Sequence, residues 1–543
     1  IPLTPTTMAY AKTKSKKKPT AKKQWVKPER NIIRPTVIDY STEQQSVFDV
    51  FFNTDSNAVI TAAAGSGKTF TIQHLLWKIA DRRSDYKSLY VVFNSRNKTE
   101  AESKMPESCD VKTLHALGMQ ILKSAGPMRV DEHKVWNFLS IMFPDTSKGL
   151  TDKEKEKELK AYNRRKFLMK KLIDFSRIML MDQSFEDLTE CATLNQINIT
   201  PQDIQLCATV LAEMNRQFFG DKTTIIPTNQ VHIDFVDMIY LPVRFADKCK
   251  YSHDYDLVCL DEYQDTSRMM FELVQRWILS NPKTRYLAVG DPMQAIYGFA
   301  GADTQYFQIL ADRANTESLT LSTCYRCKPA IVREAQKLVP SIQPMYSHDD
   351  GEVIQDGNYN DAQDLDFILC RKNRPIVAIC LDMLREGRRA VVRGRDIAED
   401  MLSILNQIGA TTLPELLQGL ESTKDNYLRQ MIEGRGWDLA RAKKSEEFKN
   451  LLDRCGVLED MGNRFEVSQI SSIIDSIFTD GKVNAVILST VHKAKGLEAD
   501  NVYILDLCQM ESVELKYVAI TRAKNKLVYC NHEGCGADVE EFE

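Results

Sequence analysis

The sequence lacks any apolar run of the about 18–20 residues that a helix needs to cross a bilayer, although 43% of its 543 residues are hydrophobic. It also shows no apolar signal-like segment after its first residues, the pattern that directs a chain to secretion. These absences predict a soluble protein inside a cell. We expect it to be cytoplasmic in a bacterial or phage-infected cell, or nuclear if the source is eukaryotic, with no membrane among its partners.

A disulfide framework is also missing. The 13 cysteines are scattered and often lie within apolar strands, which is typical of reduced thiols in a cytosol-like compartment. Two closer pairs, Cys324 with Cys327 and Cys530 with Cys535, leave a shared metal site as the alternative. The second spacing is loose and the first pair lies inside a motif with another explanation, so reduced thiols are favoured.

The chain has no strong net charge overall, but its charges are unevenly placed. The net charge is −4, whereas residues 11–34 contain ten Lys or Arg and one Glu, which leaves −13 for the rest. A basic arm on an acidic body suggests an auxiliary contact with nucleic acid. A disordered solubilising tail fits equally well, and a nuclear-import signal is a third option in a eukaryotic source.

Short apolar strands alternate with helical patterns, which predicts two parallel α/β cores. Charge-rich stretches with helical periodicity interrupt each core. The predicted units are a basic arm over residues 1–34, a first core over 35–122 and 231–310 with a helical insertion over 123–230, and a second core over 311–395 and 480–543 with a short helical insertion over 396–479.

The stretch "AAAGSGKT" (residues 62–69) follows an apolar strand and opens a helix, as a phosphate-binding loop does. Its glycines allow backbone N–H groups to close around phosphate oxygens. Lys68 is expected to neutralise the β- and γ-phosphates, and the Thr69 hydroxyl is expected to ligate Mg²⁺. The following helix adds the positive end of its dipole. The loop predicts ATP and Mg²⁺ as cofactors.

The stretch "LVCLDEYQD" supplies carboxylates for the same site. Four apolar residues bring Asp261 and Glu262 to the end of a strand. We expect Asp261 to hold Mg²⁺ together with Thr69, and Glu262 to polarise the attacking water. An Asp-Glu pair after an apolar run is weak evidence by itself, but it becomes strong beside a phosphate loop.

Further motifs follow in order, and together they resemble superfamily 1 DNA helicases of the UvrD/Rep/PcrA type. The matching stretches are "STEQQ", "VVFNSRNKTEAESKM", "VKTLHALG", "DEYQDTS", "VGDPMQAIYGFAGA", "LSTCYRCKPAIV", "LSTVHKAKGLEADNVYIL" and "ELKYVAITRAKNKLV". The resemblance runs from about residue 40 to residue 530. It implies an α/β fold with two RecA-like P-loop cores.

The resemblance also implies roles at the nucleotide. The residues it places there are Gln44, Gly65, Ser66, Gly67, Lys68, Thr69, Tyr325, Arg326, Glu498 and Arg522. Gln44 is expected at the adenine edge, Tyr325 near the base and Glu498 at the ribose. Gln294 and Arg326 are expected at the γ-phosphate, and Arg522 as an arginine finger from the second core. The predicted catalytic group consists of Lys68, Glu262, Gln294, Arg326 and Arg522.

For DNA, the resemblance implies six contacts from both cores. They are Asn94, Thr113, His115, Phe299, Thr490 and His492. Aromatic stacking combined with polar contacts to phosphates suits a protein that holds single strands without reading their sequence. Phe299 as a core residue and His115 as a structural histidine remain alternatives.

The sequence departs from the family pattern at three places. Ala300 stands where many members have an arginine after the aromatic of the stretch "VGDPMQAIYGFAGA", and Phe70 stands where they often have one after the phosphate-loop threonine. These changes predict one lost stacking contact with DNA and altered contacts with the base. The second insertion is also about half as long as in the larger bacterial members.

The motifs predict an ATP-dependent DNA helicase that moves 3′ to 5′ on single strands, in replication, recombination or repair. Its expected partners are single-stranded DNA, junctions of single and double strands, and replication or recombination proteins. One alternative is a translocase that remodels forks or removes proteins with little unwinding. Another is a non-catalytic nucleic-acid-binding protein, which gives no reason for the complete catalytic group.

Overall fold

The computed structural model describes most of the chain. The described residues are 32–36, 39–93, 95–144, 152–195, 197, 199–221, 223–226, 230–298, 301–435, 438–481 and 483–531. Residues 1–31 of the basic arm, the predicted DNA contacts Asn94 and Phe299, and also Ala300 and Cys535, lie outside this set.

The first sheet is parallel throughout, with the strand order β3-β2-β6-β7-β1-β8. Its strands are β1 Asn57–Ala62, β2 Ser88–Val92, β3 Cys109–Thr113, β6 Leu257–Leu260, β7 Arg285–Gly290 and β8 Thr316–Leu321. The inner strand β6 is buried along its whole length. Helices cover both faces of a parallel sheet, so such strands are continuous apolar runs rather than alternating ones.

The second sheet repeats this design in the order β11-β16-β15-β12-β14-β13 and is also parallel. Its strands are β11 Glu352–Ile354, β12 Phe367–Cys370, β13 Ala390–Val392, β14 Val486–Thr490, β15 Ala499–Leu505 and β16 Ala523–Cys530. The prediction of an α/β fold with two parallel-sheet cores is confirmed.

One strand lies in a different core from the one the sequence predicted. The sequence placed the start of the second core at residue 311, but β8 pairs with β1 in the first sheet, with Val59 opposite Ser318. That boundary was wrong because an apolar strand pattern signals burial but does not identify the neighbouring strand. The short pair β9 Thr323–Cys324 and β10 Gln343–Pro344 follows β8.

Helices connect the strands of both cores. The first core contains α1 Thr42–Asn53, α2 Lys68–Arg82, α3 Ser95–Lys104, α4 Leu114–Leu122, α9 Asp237–Arg244, α10 Arg268–Trp277 and α11 Gln305–Ala311. The second core contains α12 Pro329–Gln336, α13 Asn373–Arg385, α19 Val491–Ala494 and α20 Val513–Ile520. None of the helices in the described part of the chain has both the length and the apolar character that crossing a membrane requires.

The first insertion has a hydrophobic cluster of its own. Its helices are α5 Lys134–Met142, α6 Asp152–Ile178, α7 Phe185–Leu194 and α8 Pro201–Phe218. Phe138, Leu172 and Leu211 are buried between them. The insertion is bounded by a two-stranded parallel pair, β4 Met128–Val130 with β5 Val231–Ile233. The sequence did not indicate these strands, because three residues are too few to establish an alternating pattern.

The second insertion instead shares a core with the second sheet. Its helices are α14 Arg395–Ile408, α15 Leu413–Arg435, α16 Leu439–Lys444, α17 Glu446–Arg464 and α18 Val467–Ile477. Leu458 and Ile474 of these helices are buried in one cluster with Val392 and Leu488 of the sheet. The insertion is therefore packed as part of the second core.

Candidate functional site

The predicted nucleotide residues gather where strands of the first sheet end. The phosphate loop follows β1, Asp261 follows β6, and Asp291 follows β7. Because neighbouring parallel strands end at the same edge, the three segments meet there, and α/β proteins bind ligands at this edge.

The phosphate loop has the backbone that its glycines allow. Gly65 and Gly67 have φ angles of 69° and 81°, in the left-handed region, and α2 begins at Lys68. A Cβ at Gly65 would stand 2.7 Å from the Cβ of Arg326. The hydroxyl of Ser66 is buried and has no hydrogen-bond partner among the described residues. The Ser66 hydroxyl is thus available to bind a phosphate oxygen, and the loop lies directly against Arg326.

Lys68 and Glu262 form an ion pair at the centre of the site. The Lys68 Nζ lies 3.3 Å from the Glu262 Oε2, which also accepts a hydrogen bond from Gln264 at 2.6 Å. Burial would raise the pKa of Glu262, but the charges of Lys68 and Lys495 and the Gln264 hydrogen bond together lower it to about 2. Glu262 is therefore a carboxylate at neutral pH. Its φ of 50° shows a strained backbone at this position.

The residues predicted to hold Mg²⁺ are adjacent and offer suitable oxygens. Thr69 Oγ1 donates to Asp261 Oδ2 at 3.1 Å, and the Tyr90 hydroxyl donates to the same oxygen at 2.5 Å. Burial and the nearby Glu262 charge raise the pKa of Asp261, so a cation beside it would favour its ionised form. A hydroxyl and one carboxylate suit Mg²⁺, which takes its remaining ligands from water and phosphate. The donor set fits the ion.

The loop after β7, residues 291–302, is tied to the Glu262 segment and is called the β7 loop below. Gln264 Oε1 accepts from the backbone N–H of Asp291 at 3.0 Å. The Gln294 side chain donates to Asp291 Oδ2 at 2.6 Å. Gln294 is buried, so this amide is fixed at the edge of the site.

The second core reaches the site through Arg522. Its guanidinium donates to Gln294 Oε1 at 3.3 Å and to the carbonyl of Leu497 at 3.0 Å. Burial, followed by the charge of Arg326, lowers the pKa of Arg522 to about 10. The group therefore stays cationic at neutral pH, and it is the predicted arginine finger.

Lys495 forms a second bridge between the cores. Its ammonium lies 2.7 Å from Asp265 Oδ2 and 2.5 Å from the carbonyl oxygen of Gln294. The same nitrogen lies 4.6 Å from the ring centroid of Tyr297, whose hydroxyl donates to the His492 carbonyl at 3.4 Å. The β7 loop is thus held by the second core at several points.

The residues expected around base and ribose also converge. From the position that a Cβ of Gly67 would take, Gln44 Nε2 lies 3.6 Å away and Tyr325 Cδ2 3.9 Å away. Arg326 pairs with Glu498 at 2.7 Å, and Lys524 pairs with the other oxygen of Glu498 at 2.8 Å. Glu498, the expected ribose contact, is thus engaged by two cations.

The described DNA candidates lie at strand ends in both cores. Thr113 ends β3 and caps α4 by accepting from the Ala116 N–H at 3.2 Å. Thr490 ends β14. Burial lowers the pKa of His115, and burial followed by the charge of Arg371 lowers that of His492 to about 4. Both histidines are therefore neutral at pH 7.

Three residues of the site were missed by the sequence analysis. Lys495 and Gln264 lie inside recognised motifs, so their motif position was the available signal. Phe235 had no such signal: the residue is 51% exposed, and its ring meets His115 edge-on at 6.4 Å between centroids. An exposed aromatic beside a predicted DNA contact is visible only in the folded chain.

Comparison with known proteins matches the chain to helicase families and to individual helicases. Residues 41–315 match the family described as UvrD/REP helicase N-terminal domain, and residues 485–530 match the UvrD-like helicase C-terminal domain. The ATP-dependent DNA helicase Rep of Buchnera aphidicola subsp. Acyrthosiphon pisum (strain APS) is 22% identical over 88% of this chain and 93% of its own length.

Two further relatives are covered less completely. F-box DNA helicase protein 1 of Schizosaccharomyces pombe is 22% identical over 91% of this chain and 58% of its own length. The ATP-dependent DNA helicase PcrA of Staphylococcus aureus (strain Mu50 / ATCC 700699) is 24% identical over 53% of this chain and 38% of its own length. The chain therefore spans nearly all of the Rep protein but only part of these two.

Proposed function

Because the chain, matched over residues 41–315, belongs to the UvrD/REP helicase family, we propose that it is an ATP-dependent DNA helicase moving 3′ to 5′ on single-stranded DNA. The observation that carries the proposal is the charged site that spans both cores, from the Lys68–Glu262 pair to the contact between Gln294 and Arg522. Its expected setting is DNA replication, recombination or repair.

The site residues of the first core each have a role in hydrolysis. Lys68 balances phosphate charge, and the ionised Glu262 accepts a proton from the attacking water while Gln264 holds its carboxylate in place. Mg²⁺, held by Thr69 and Asp261, would neutralise phosphate charge when bound. Because the pKa of Glu262 is lowered to about 2, this base is available at all physiological pH values.

The second core completes the site when the cleft is closed. Arg522 and Arg326 stabilise the charge that develops on the transferred phosphoryl group. Both come from segments outside the first core, so hydrolysis requires the cores to be together and product release allows them to part. This linkage is how a motor of two cores converts turnover into stepping.

Single-stranded DNA is proposed to run along one edge of both cores. This edge carries Thr113 and His115 of the first core and Thr490 and His492 of the second. Neutral histidines and threonines can hydrogen-bond to phosphate and sugar without reading sequence. The exposed ring of Phe235 offers a face for base stacking. Asn94 and Phe299 remain proposed contacts that lie outside the described residues.

The direction of movement rests on resemblance. The stretches "DEYQD" and "AKGLE" are similar to the UvrD branch of superfamily 1 and differ from the branch that moves 5′ to 3′. Duplexes with a single-stranded tail on one side test the direction directly.

The central experiment measures ATP hydrolysis with and without single-stranded DNA, for the wild type and for Glu262→Gln, and then unwinding of duplexes with a 3′ or a 5′ tail. Loss of the general base is expected to lower turnover by about 10²–10⁴-fold. Wild-type hydrolysis should rise with DNA, and the 3′-tailed duplex should be unwound.

The other outcomes identify the alternatives. Unwinding from a 5′ tail alone contradicts the proposed direction. Hydrolysis stimulated by DNA without unwinding of either duplex supports a translocase that remodels forks or strips proteins. DNA binding without hydrolysis supports a non-catalytic protein and contradicts the proposed activity.

A further inference from the structure

A set of buried charges lies where the first insertion meets the first core, and we call it the buried ion cluster. Its members are Lys134, Asp174, Arg177, Asp234 and Asp237. Arg177, in the last turn of α6, holds all three carboxylates: Asp174 at 2.6 Å, Asp234 at 2.8 Å and Asp237 at 2.8 Å. Lys134 of α5 reaches Asp237 at 2.5 Å.

The cluster is almost closed to solvent, and Lys170 beside it balances its charge. The side chains of Lys134, Arg177 and Asp237 are each only 1% exposed. Asp174 at the rim also pairs with Lys170, so three cations face three carboxylates. Burial would lower the pKa of Arg177, but the carboxylates raise it well above its ordinary value. Because burying ions is costly even when they are paired, general stability alone does not account for this arrangement.

The cluster determines the shape of one short turn. Asp234 and Asp237 exchange hydrogen bonds: the Asp237 N–H donates to Asp234 Oδ1 at 2.8 Å, and the Asp234 N–H donates to Asp237 Oδ2 at 3.2 Å. Phe235 lies between these two residues in the sequence, and its ring is turned outward beside His115. Both carboxylates that close the turn are bound by the single guanidinium of Arg177.

The same end of α6 also contacts the β7 loop. Ile178 Cγ2 lies 3.0 Å from the position that a Cβ of Gly301 would take, where φ is +85°. Just after α6, the carbonyl oxygen of Met179 accepts from Arg268 at the start of α10, at 3.1 Å. The last turn of α6 therefore lies against two segments, the turn with Phe235 and the β7 loop at Gly301.

We propose that Arg177 is a positioning residue for single-stranded DNA, which holds the Phe235 ring in the orientation that stacks on a base. The proposal rests on the proposed function, because it assumes that DNA passes His115 and Phe235. A bidentate guanidinium fixes the directions of two carboxylates, whereas an ammonium provides charge without that geometry.

The test is Arg177→Lys, which keeps the charge and removes the planar fork. We expect the concentration of single-stranded DNA that gives half-maximal ATP hydrolysis to rise about tenfold. The KM for ATP and the hydrolysis without DNA should stay within about twofold, because no atom of the nucleotide site is touched. Arg165→Lys is the matched control, since Arg165 of the same helix also binds one carboxylate bidentately, Asp203 at 3.0 and 2.6 Å.

A double-mutant cycle separates positioning from a structural role. If Arg177 acts through the ring, Arg177→Lys should have no further effect on the DNA requirement once Phe235 is replaced by Ala. The proposal would be contradicted if the effects of the two substitutions on the DNA requirement multiplied in the double variant. It would also be contradicted by an unchanged DNA requirement in Arg177→Lys, or by an equal rise of that requirement in Arg165→Lys.

The remaining outcomes distinguish this inference from the proposed function. If the wild type shows no DNA-stimulated hydrolysis, the proposed function fails; if only Phe235→Ala weakens the DNA response, the positioning role alone fails. If Arg177→Lys does not fold, Asp234→Asn replaces it in the same cycle, because the amide keeps the oxygen that accepts from Asp237 but weakens the bond to Arg177. An unchanged DNA requirement in Asp234→Asn would also overturn the proposal.

Discussion

At the scale of single residues, the ion pair between Asp265 and Lys495 contains a carboxyl group, that of Asp265, whose pKa lies close to neutral pH. Burial raises the pKa of Asp265 to about 6, although the charge of Lys495 opposes the rise. The pKa of His492 is lowered to about 4 and that of His115 also lies below its ordinary value. Asp265 is therefore a better source of a fall in activity near pH 6 than His492.

We predict that ATP hydrolysis falls as the pH drops through about 6. Below this pKa Asp265 is neutral, so Lys495 loses its counter-charge and the bridge between the cores weakens. The measurement is turnover at saturating ATP and DNA between pH 5 and 8. The Asp265→Asn variant should hydrolyse ATP slowly at every pH, and its turnover should show no fall near pH 6. If the variant still lost activity near pH 6, another group would be responsible for the fall.

At the scale of elements, the β7 loop links the two cores at several points, and Gln294 takes part in two of them. Gln294 binds Asp291 of its own loop and Arg522 of the second core, while its carbonyl oxygen accepts from Lys495. Phe299 follows Gln294 by only five positions, so the two are at most about 17 Å apart. If Phe299 binds DNA as proposed, a displacement at the phosphate end can therefore reach that contact.

Replacing Gln294 with Ala is expected to leave ATP binding within about threefold and to lower DNA-stimulated turnover roughly tenfold or more, because the link to Arg522 is lost. The measurements are binding of a fluorescent ATP analogue and hydrolysis with saturating DNA. Gln305→Ala, at an exposed glutamine that pairs with Asp303, is the matched control and should behave as the wild type. Full DNA stimulation in Gln294→Ala would contradict the coupling role.

At the scale of the whole molecule, the two insertions are attached differently. The first has a core of its own and meets the first core at the buried ion cluster, whereas the second shares its core with the second sheet. Asp453 of α17 also accepts from the backbone N–H groups of Asn373 and Arg374 at the start of α13, at 2.7 and 2.8 Å. We therefore expect the second insertion to move with its sheet.

Hydrogen exchange followed by mass spectrometry tests this difference. Leu458→Ala removes a buried side chain from the shared core and should cost about 2–5 kcal/mol in the free energy of unfolding. It should speed exchange in β12 and β14 as well as in α17. Leu211→Ala, in the separate core of the first insertion, should speed exchange mainly in that insertion. Faster exchange confined to α14–α18 in the first variant would show an independent unit.

The sequence by itself determined the fold class and the family, because phosphate loops, carboxylates at strand ends and ordered motifs are local patterns. It also indicated the residues around Lys68 and Glu262, since each lies at a fixed offset within its own motif. The roles assigned to the DNA residues remain predictions.

Only the tertiary structure decided which strands and side chains meet. β8 joined the first sheet, and the exposed ring of Phe235 came to lie beside His115. Arg177 met Asp234 and Asp237, which lie 57 and 60 residues away in the chain. The physical reason is that a residue pattern records whether a side chain is to be buried or charged, whereas its partner depends on how distant segments pack.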